Sequence, residues 1–268
     1  QALAIKPDYA EAHNNLGLAL QELEKLDDAV ASYHKALTIR PDFSEARYNL
    51  GNAFLEQGKL DDAVASYHKA LAIKHDYAEA HSNLGNALKE QGKLDDAITS
   101  YRNVLNIRPG APETHSNLGL ALKELGNLDD AVACYRKALT IKPNYAEAHY
   151  SLGNVFLEQG RLDEAVASYR EALAIKSDYT DAHRALGDAL QKLGKLDDAL
   201  ASYNKALAIK PDYAEAHNNL GVVFQELGKL HDAVASYHRA LTIKPDYPEA
   251  HYSLGGSLQE LGKLDEAM

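Results

Sequence analysis

Apolar and polar positions alternate in a pattern that repeats every 34 residues. In residues 78–111, Ala80, Leu84, Ala87 and Leu88 are spaced along one helical stripe that runs to Gln91, and Gly92-Lys93-Leu94 then interrupts it. A second stripe follows, made of Ala97, Ile98, Tyr101, Val104, Leu105 and Ile107, with Asp95 placed to cap its helix. Pro109 is expected to end that helix, as Pro41, Pro143, Pro211 and Pro245 do elsewhere, because the residue before a proline is steered out of helical geometry. The following first helices open on acid pairs three apart, Asp42 and Glu45, Asp76 and Glu79, Asp212 and Glu215, the spacing of reciprocal capping. Each unit therefore predicts two helices of about 14 residues, roughly 21 Å long. The short turn between them makes the two antiparallel.

Glycine and leucine fix the register. Gly17, Gly51, Gly85, Gly119, Gly153, Gly187, Gly221 and Gly255 stand 34 apart, each preceded by leucine from Leu16 to Leu254. A second series runs from Gly58 through Gly92, Gly126, Gly160, Gly194 and Gly228 to Gly262. A constant period of this length marks a repeat architecture, in which stacked hairpins bury one continuous core that none could bury alone. Seven complete units are read, 10–43, 44–77, 78–111, 112–145, 146–179, 180–213 and 214–247, flanked by partial units 1–9 and 248–268 in a single solenoid over 1–268.

Composition narrows the partner. Thirty-nine acidic and 28 basic residues give a net charge of −11, which disfavours nucleic acid and anionic membrane, since both recruit excess Lys and Arg. No run approaches the roughly 18 apolar residues of a membrane span. One cysteine, Cys134, excludes an internal disulfide and a multi-cysteine metal site. The only methionine is Met268, so the chain reads as a fragment or processed product. No secretory signal is read, which leaves the compartment open and favours the cytoplasm.

Leu84-Gly85, Leu88, Ala97, Tyr101, Val104 and Pro109, matched by Leu118-Gly119, Leu122, Ala131, Tyr135, Ala138 and Pro143, resemble the tetratricopeptide (TPR) repeat. The resemblance covers essentially the whole chain and implies an all-α, right-handed superhelical solenoid of antiparallel helix pairs, non-catalytic and without cofactor. The departure is the row His13, His81, His115, His149, His183, His217 and His251, with Arg47 in one unit, where the family often has Trp or Tyr. Stretches such as Ala78-Glu79-Ala80-His81-Ser82-Asn83-Leu84-Gly85-Asn86 look like the repeats of O-GlcNAc transferase and its bacterial relatives. In that family an asparagine before Leu-Gly lines the inner wall and holds the backbone of an extended polypeptide. The matching positions are Asn15, Asn49, Asn83, Asn117 and Asn219, interrupted by Ser151, Ala185 and Ser253.

The first helices carry one polar stripe outside the core. Glu45, Asn49, Asn52 and Glu56, like Glu79, Asn83, Asn86 and Glu90, are spaced to share a face, and Asn154 continues the set. The family places first helices on the concave side, so this stripe is the candidate peptide-binding groove. A carboxamide both donates and accepts, as a peptide backbone requires. Glutamates along both edges exclude the basic clamp with which some TPR proteins hold acidic tails, so the expected ligand is a neutral or basic polypeptide. Residues 180–213 differ, with Arg184, Ala185 and Lys192, and are read as drift.

Other chemistry is not expected. Equivalent histidines on packed helices about 8–10 Å apart cannot share a zinc, so the row is assigned to packing. Asp27-Asp28 and Asp61-Asp62 suit helix dipoles better than acid–base work. Cys134 stands where other units have serine and is read as a neutral substitution. Two alternatives accompany the interaction module: the substrate-recognition arm of a glycosyltransferase whose catalytic domain lies elsewhere, and a structural repeat that self-associates end to end.

Overall fold

The computed structural model describes residues 9–262; the remainder of partial unit 1–9 and residues 263–268, on which end-to-end association would rest, lie outside the described residues. Among the described residues the chain is all α-helix. The first helices are α1 (Ala10–Glu22), α3 (Ser44–Glu56), α5 (Ala78–Glu90), α7 (Pro112–Glu124), α9 (Ala146–Glu158), α11 (Thr180–Lys192), α13 (Ala214–Glu226) and α15 (Pro248–Glu260). The second helices are α2 (Leu26–Ile39), α4 (Leu60–Ile73), α6 (Leu94–Ile107), α8 (Leu128–Ile141), α10 (Leu162–Ile175), α12 (Leu196–Ile209) and α14 (Leu230–Ile243). Two compact units divide between Ile141 and Lys142, one holding α1–α8 and the other α9–α15.

In both units the core is built the same way. Tyr33, Tyr67, Tyr101 and Tyr135 in the first unit, and Tyr169, Tyr203 and Tyr237 in the second, are fully buried on the second helices. Each ring lies against the glycine of its own first helix. A Cβ added to Gly85 would fall 2.7 Å from Tyr101 Cε1, which explains why that series carries no side chain. Buried alanines such as Ala63, Ala97 and Ala199 let the paired helices close over the ring.

The turn inside each hairpin needs a left-handed residue. Gly92 takes φ 74°, and Lys93 N–H returns to the Leu88 carbonyl at 2.9 Å. In α1–α2 the same conformation falls on Glu24, at φ 58°.

The connection between hairpins differs from the capping expectation. Asp42, Asp76 and Asp212 are not caps: the N-caps of α3, α5 and α13 are Phe43, Tyr77 and Tyr213, none with a side-chain capping bond. Asp95 likewise lies in the first turn of α6, whose N-cap is Lys93. The loop is held by its rings instead. Lys74 sits 4.7 Å above the Tyr77 ring, Lys176 5.0 Å above Tyr179 and Lys210 4.9 Å above Tyr213, with Arg40 in the same place over Phe43.

The histidine row completes the clasp. Nε2 of His81 donates to the His75 carbonyl at 2.9 Å, and His115, His149, His183, His217 and His251 repeat that bond to the carbonyl six residues earlier. Because a carbonyl only accepts, the ring proton is fixed on Nε2. Arg47 reproduces it with Nε and one terminal nitrogen on the Pro41 carbonyl.

The second helix ends before Pro109 as expected, but proline is not required for that ending. Arg108, before Pro109, has φ −132° and ψ 80°; Lys74 and Lys176, before His75 and Ser177, reach nearly the same geometry at −125°, 93° and −130°, 90°. The clasp itself holds the backbone extended there.

Candidate functional site

The polar stripe of the first helices is wired to the core. Tyr67, buried on α4, donates its hydroxyl to Oδ1 of Asn52 on α3 at 2.8 Å. Tyr101 does the same to Asn86, Tyr169 to Asn154 and Tyr203 to Asp188, each at 2.8 Å. Beside Leu18 and Val222 the hydroxyl reaches one turn further on, Tyr33 to Gln21 and Tyr237 to Gln225.

The next hairpin adds a second donor to the same oxygen. Nδ2 of Asn83 reaches Asn52 Oδ1 at 2.8 Å and the Tyr48 hydroxyl at 3.1 Å. Asn117 approaches Asn86 at 3.5 Å, and Asn219 reaches Asp188 at 2.8 Å. With both donors on its oxygen, Asn52 keeps its NH2 for another acceptor, while Asn83, spent as a donor, keeps its Oδ1. The Asn52–Asn83 junction therefore presents one donor and one acceptor, both without a protein partner among the described residues.

The remaining sequence candidates are placed differently. Asn49 is buried and donates to Asn14 Oδ1 at 3.0 Å, so it joins α1 to α3 and does not face solvent. Asn15 is exposed on α1. Glu45 is exposed, whereas Glu79 is engaged by Arg108 at 2.6 Å. Its own backbone N–H, ahead of Arg108, holds the Glu79 carboxyl below the usual range. Glu11 is paired with Arg40 in the equivalent way.

Residues 180–213 vary in a concerted way. Asp188 replaces the asparagine, and Arg184 one turn earlier neutralises it, with NH1 2.5 Å from Oδ2. Arg184 Nε also donates to the Tyr213 hydroxyl at 2.8 Å, and that hydroxyl donates to Asp181 at 2.8 Å. Arg184, read as drift, thus joins one network with Asp188, Tyr213 and Asp181, whereas Ala185 and Lys192 take no part in these bonds.

Tyr48 and Tyr150 were not among the expected site residues. Tyr48 packs 5.0 Å from Tyr77 and 6.0 Å from Tyr67; Tyr150 repeats this with Tyr179 and Tyr169 at 4.9 and 5.9 Å. Their signal in the sequence is an aromatic residue where other units hold Asn14, Ser82 or Ser116.

Cavities occur on both sides of the hairpins. One of about 410 Å³ lies on the wall of first helices in the second unit, between Leu157, Asp188, Asn219 and Val222. Two of about 690 and 680 Å³ open between successive second helices, floored by Leu84 and Leu88 in the first unit and Leu186 and Leu190 in the second. His81 and His183 line them; where Arg47 replaces histidine, the equivalent space is about 230 Å³. Cys134 is half-buried, and burial, with Asp130 nearby, pushes its thiol up to about 11, away from nucleophilic use.

Known structures share the architecture. The crystal structure of MamA is 28% identical, with a TM-score of 0.58 over 60% of this chain and 95% of that one. YrrB, described as a TPR protein with an unusual peptide-binding site, is 23% identical, with a TM-score of 0.59 over 71% of this chain and 98% of its own. A tetratricopeptide repeat protein from Parabacteroides merdae reaches a TM-score of 0.69 at 19% identity, over 93% and 98% of the two chains. No curated protein sequence matches the chain. The match to the family described as the cilia and flagella-associated protein 70 C-terminal domain extends over residues 1–252, so the chain belongs to that family of tetratricopeptide repeats.

Proposed function

We propose that the chain is a non-catalytic interaction module that holds an extended polypeptide against the first helices, chiefly by its backbone. The observation that carries this is the Tyr67–Asn52–Asn83 relay. It leaves one NH2 and one carbonyl oxygen without a protein partner among the described residues, the complement of a peptide C=O and N–H. Asn86 and Asn117, below Tyr101, repeat the pair with a longer link. Preorientation by a buried hydroxyl removes the entropy cost of ordering each amide when ligand binds. The net charge of −11 favours a neutral or basic ligand over an acidic one.

The test is titration with an unstructured serine- and threonine-rich peptide and with the same peptide N-methylated along its backbone. The methylated peptide should bind at least tenfold more weakly, because its N–H groups are gone while its side chains remain. Equal affinity, or no binding of either, overturns the proposal. The asparagine series is also what supports the reading as the recognition arm of a glycosyltransferase, and that reading uses the same wall.

A further inference from the structure

The amide pairs of the wall are unequal. The spacing of Asn52 and Asn83 recurs from each first helix to the next, but an amide stands at both places only there and at Asn86 and Asn117. Asn154 is matched with Ala185, and Asp188, matched with Asn219, is a carboxylate with no N–H to give. Asn219 Oδ1 also accepts from Asn218 at 3.3 Å. Tyr48 separates the two amide pairs that remain. Nδ2 of Asn83 carries two hydrogens and serves two acceptors, Asn52 Oδ1 at 2.8 Å and the Tyr48 hydroxyl at 3.1 Å. In α5 the place of Tyr48 is held by Ser82, and Asn117 Nδ2 has one acceptor among the described residues, Asn86 at 3.5 Å. The Tyr48 ring is steadied in turn by Tyr67 and Tyr77, at 6.0 and 5.0 Å. Tyr150 keeps the same ring contacts, but Ala185 stands in the place of Asn83 and gives its hydroxyl no amide to hold.

We propose that Tyr48 is a positioning residue that makes the Asn52–Asn83 junction the anchoring subsite for the extended polypeptide. This rests on the backbone-binding reading above and assigns its strength to one place in the first unit. Asn83 cannot rotate without losing two bonds, so it offers its oxygen in one direction before any ligand arrives. Asn52, whose oxygen takes Tyr67 and Asn83, is held with its NH2 available in the same way. Amides ordered in advance lose little freedom on binding, whereas Asn117, with one long bond, must be ordered by the ligand itself. Asp188 and Asn219, already joined to Tyr203, Arg184, Asn218 and each other, hold a network of their own. The polypeptide is then gripped by its backbone where α3 meets α5 and lies more loosely along the remaining first helices.

The experiment is titration of Tyr48→Phe and Tyr150→Phe with the serine- and threonine-rich peptide and its N-methylated form. Tyr48→Phe keeps the ring and removes the hydroxyl. With helicity retained, it should bind the unmethylated peptide roughly fivefold more weakly, the effect of one ordinary hydrogen bond. The methylated peptide has no N–H for Asn83 and should be weakened less, so the ratio of the two affinities narrows. A merely structural loss would weaken both peptides equally and leave that ratio unchanged. Tyr150→Phe should bind both peptides as the parent does. An unaltered ratio in Tyr48→Phe, or an equal effect of Tyr150→Phe, overturns the anchor alone. Failure of the unmethylated peptide to bind the parent protein overturns the backbone reading and the anchor with it. Should Tyr48→Phe not fold, a photoreactive residue at the centre of the peptide decides the matter on the parent protein. Attachment chiefly to α3 and α5 supports the anchor; attachment chiefly to other helices overturns it.

Discussion

The hydroxyl of Tyr67 lies 2.8 Å from Oδ1 of Asn52, so a residue sealed in the core sets the direction of an amide on the wall. Tyr67→Phe keeps the ring against Gly51 and removes only the donor. The variant should lose about 1 kcal/mol of stability, the net worth of one such bond. It should also bind the serine- and threonine-rich peptide more weakly, because Asn52 then keeps only the Asn83 donor to orient its amide. Tyr33→Phe is the control. Its hydroxyl goes to Gln21 and touches no asparagine relay, so stability should fall similarly with little change in binding. Urea denaturation and peptide titration of both variants check this.

Gly85→Ala should be strongly destabilising despite alanine's better helix propensity. The new Cβ would stand 2.7 Å from Tyr101 Cε1, in the body of a fully buried ring whose hydroxyl is already tied to Asn86. Overpacking of this kind costs about 1–3 kcal/mol. Gly256→Ala, in α15, meets nothing within 4 Å and should gain up to about 1 kcal/mol from propensity. Melting temperatures that move in opposite directions confirm the distinction; two losses of equal size would refute it.

Much of this was legible in the sequence, for physical reasons that can be named. The leucine–glycine series and the aromatic of the second helix announced the hairpin because their contact is local and identical in every unit. The clasp between hairpins was not legible. Acid pairs three apart have the form of a capping box, but Tyr77 occupies the cap without a side-chain capping bond and packs its ring under Lys74 instead. The asparagine register was visible, whereas its partition was not. Asn49 and Asn83 are equivalent in sequence, yet one is buried against Asn14 and the other reaches Asn52, because the register one residue earlier holds Tyr48 in one hairpin and Asn14 in another. Position along a helix sets a face, and the neighbour across the hairpin decides whether that face is satisfied.

Arg184 and Asp188 should be energetically coupled. Asp188 accepts from Tyr203, Asn219 and Arg184, with side chains 20% and 26% exposed for the acid and the arginine. Asp188→Asn alone strands the guanidinium beside a neutral amide. Arg184→Ser alone leaves a carboxylate without its cation. The double variant recreates the Ser82 and Asn86 arrangement of α5. The two single losses should therefore exceed the loss in the double variant by on the order of 1 kcal/mol, as expected for contacting residues in one network. Chemical denaturation of the four proteins closes the cycle, and simple additivity would show that the substitutions are independent.

Alkaline pH should unfold the chain cooperatively. Burial raises the phenols of six fully buried core tyrosines, Tyr33, Tyr67, Tyr101, Tyr169, Tyr203 and Tyr237, the last to about 12. The ordinary value, 10.0, applies once the chain unfolds. Above pH 10 the unfolded state therefore holds fewer protons than the folded one, and stability falls as pH rises. It is fully present below that point. Each such phenol contributes a slope of about 1.4 kcal/mol per pH unit, so several acting together give a steep transition. Helix loss and tyrosinate absorbance should rise together between pH 10 and 12, with more than one proton released per chain. Gradual ionisation with the helices intact would show that the rings reach water without unfolding, which their packing against Gly51, Gly85 and Gly153 forbids.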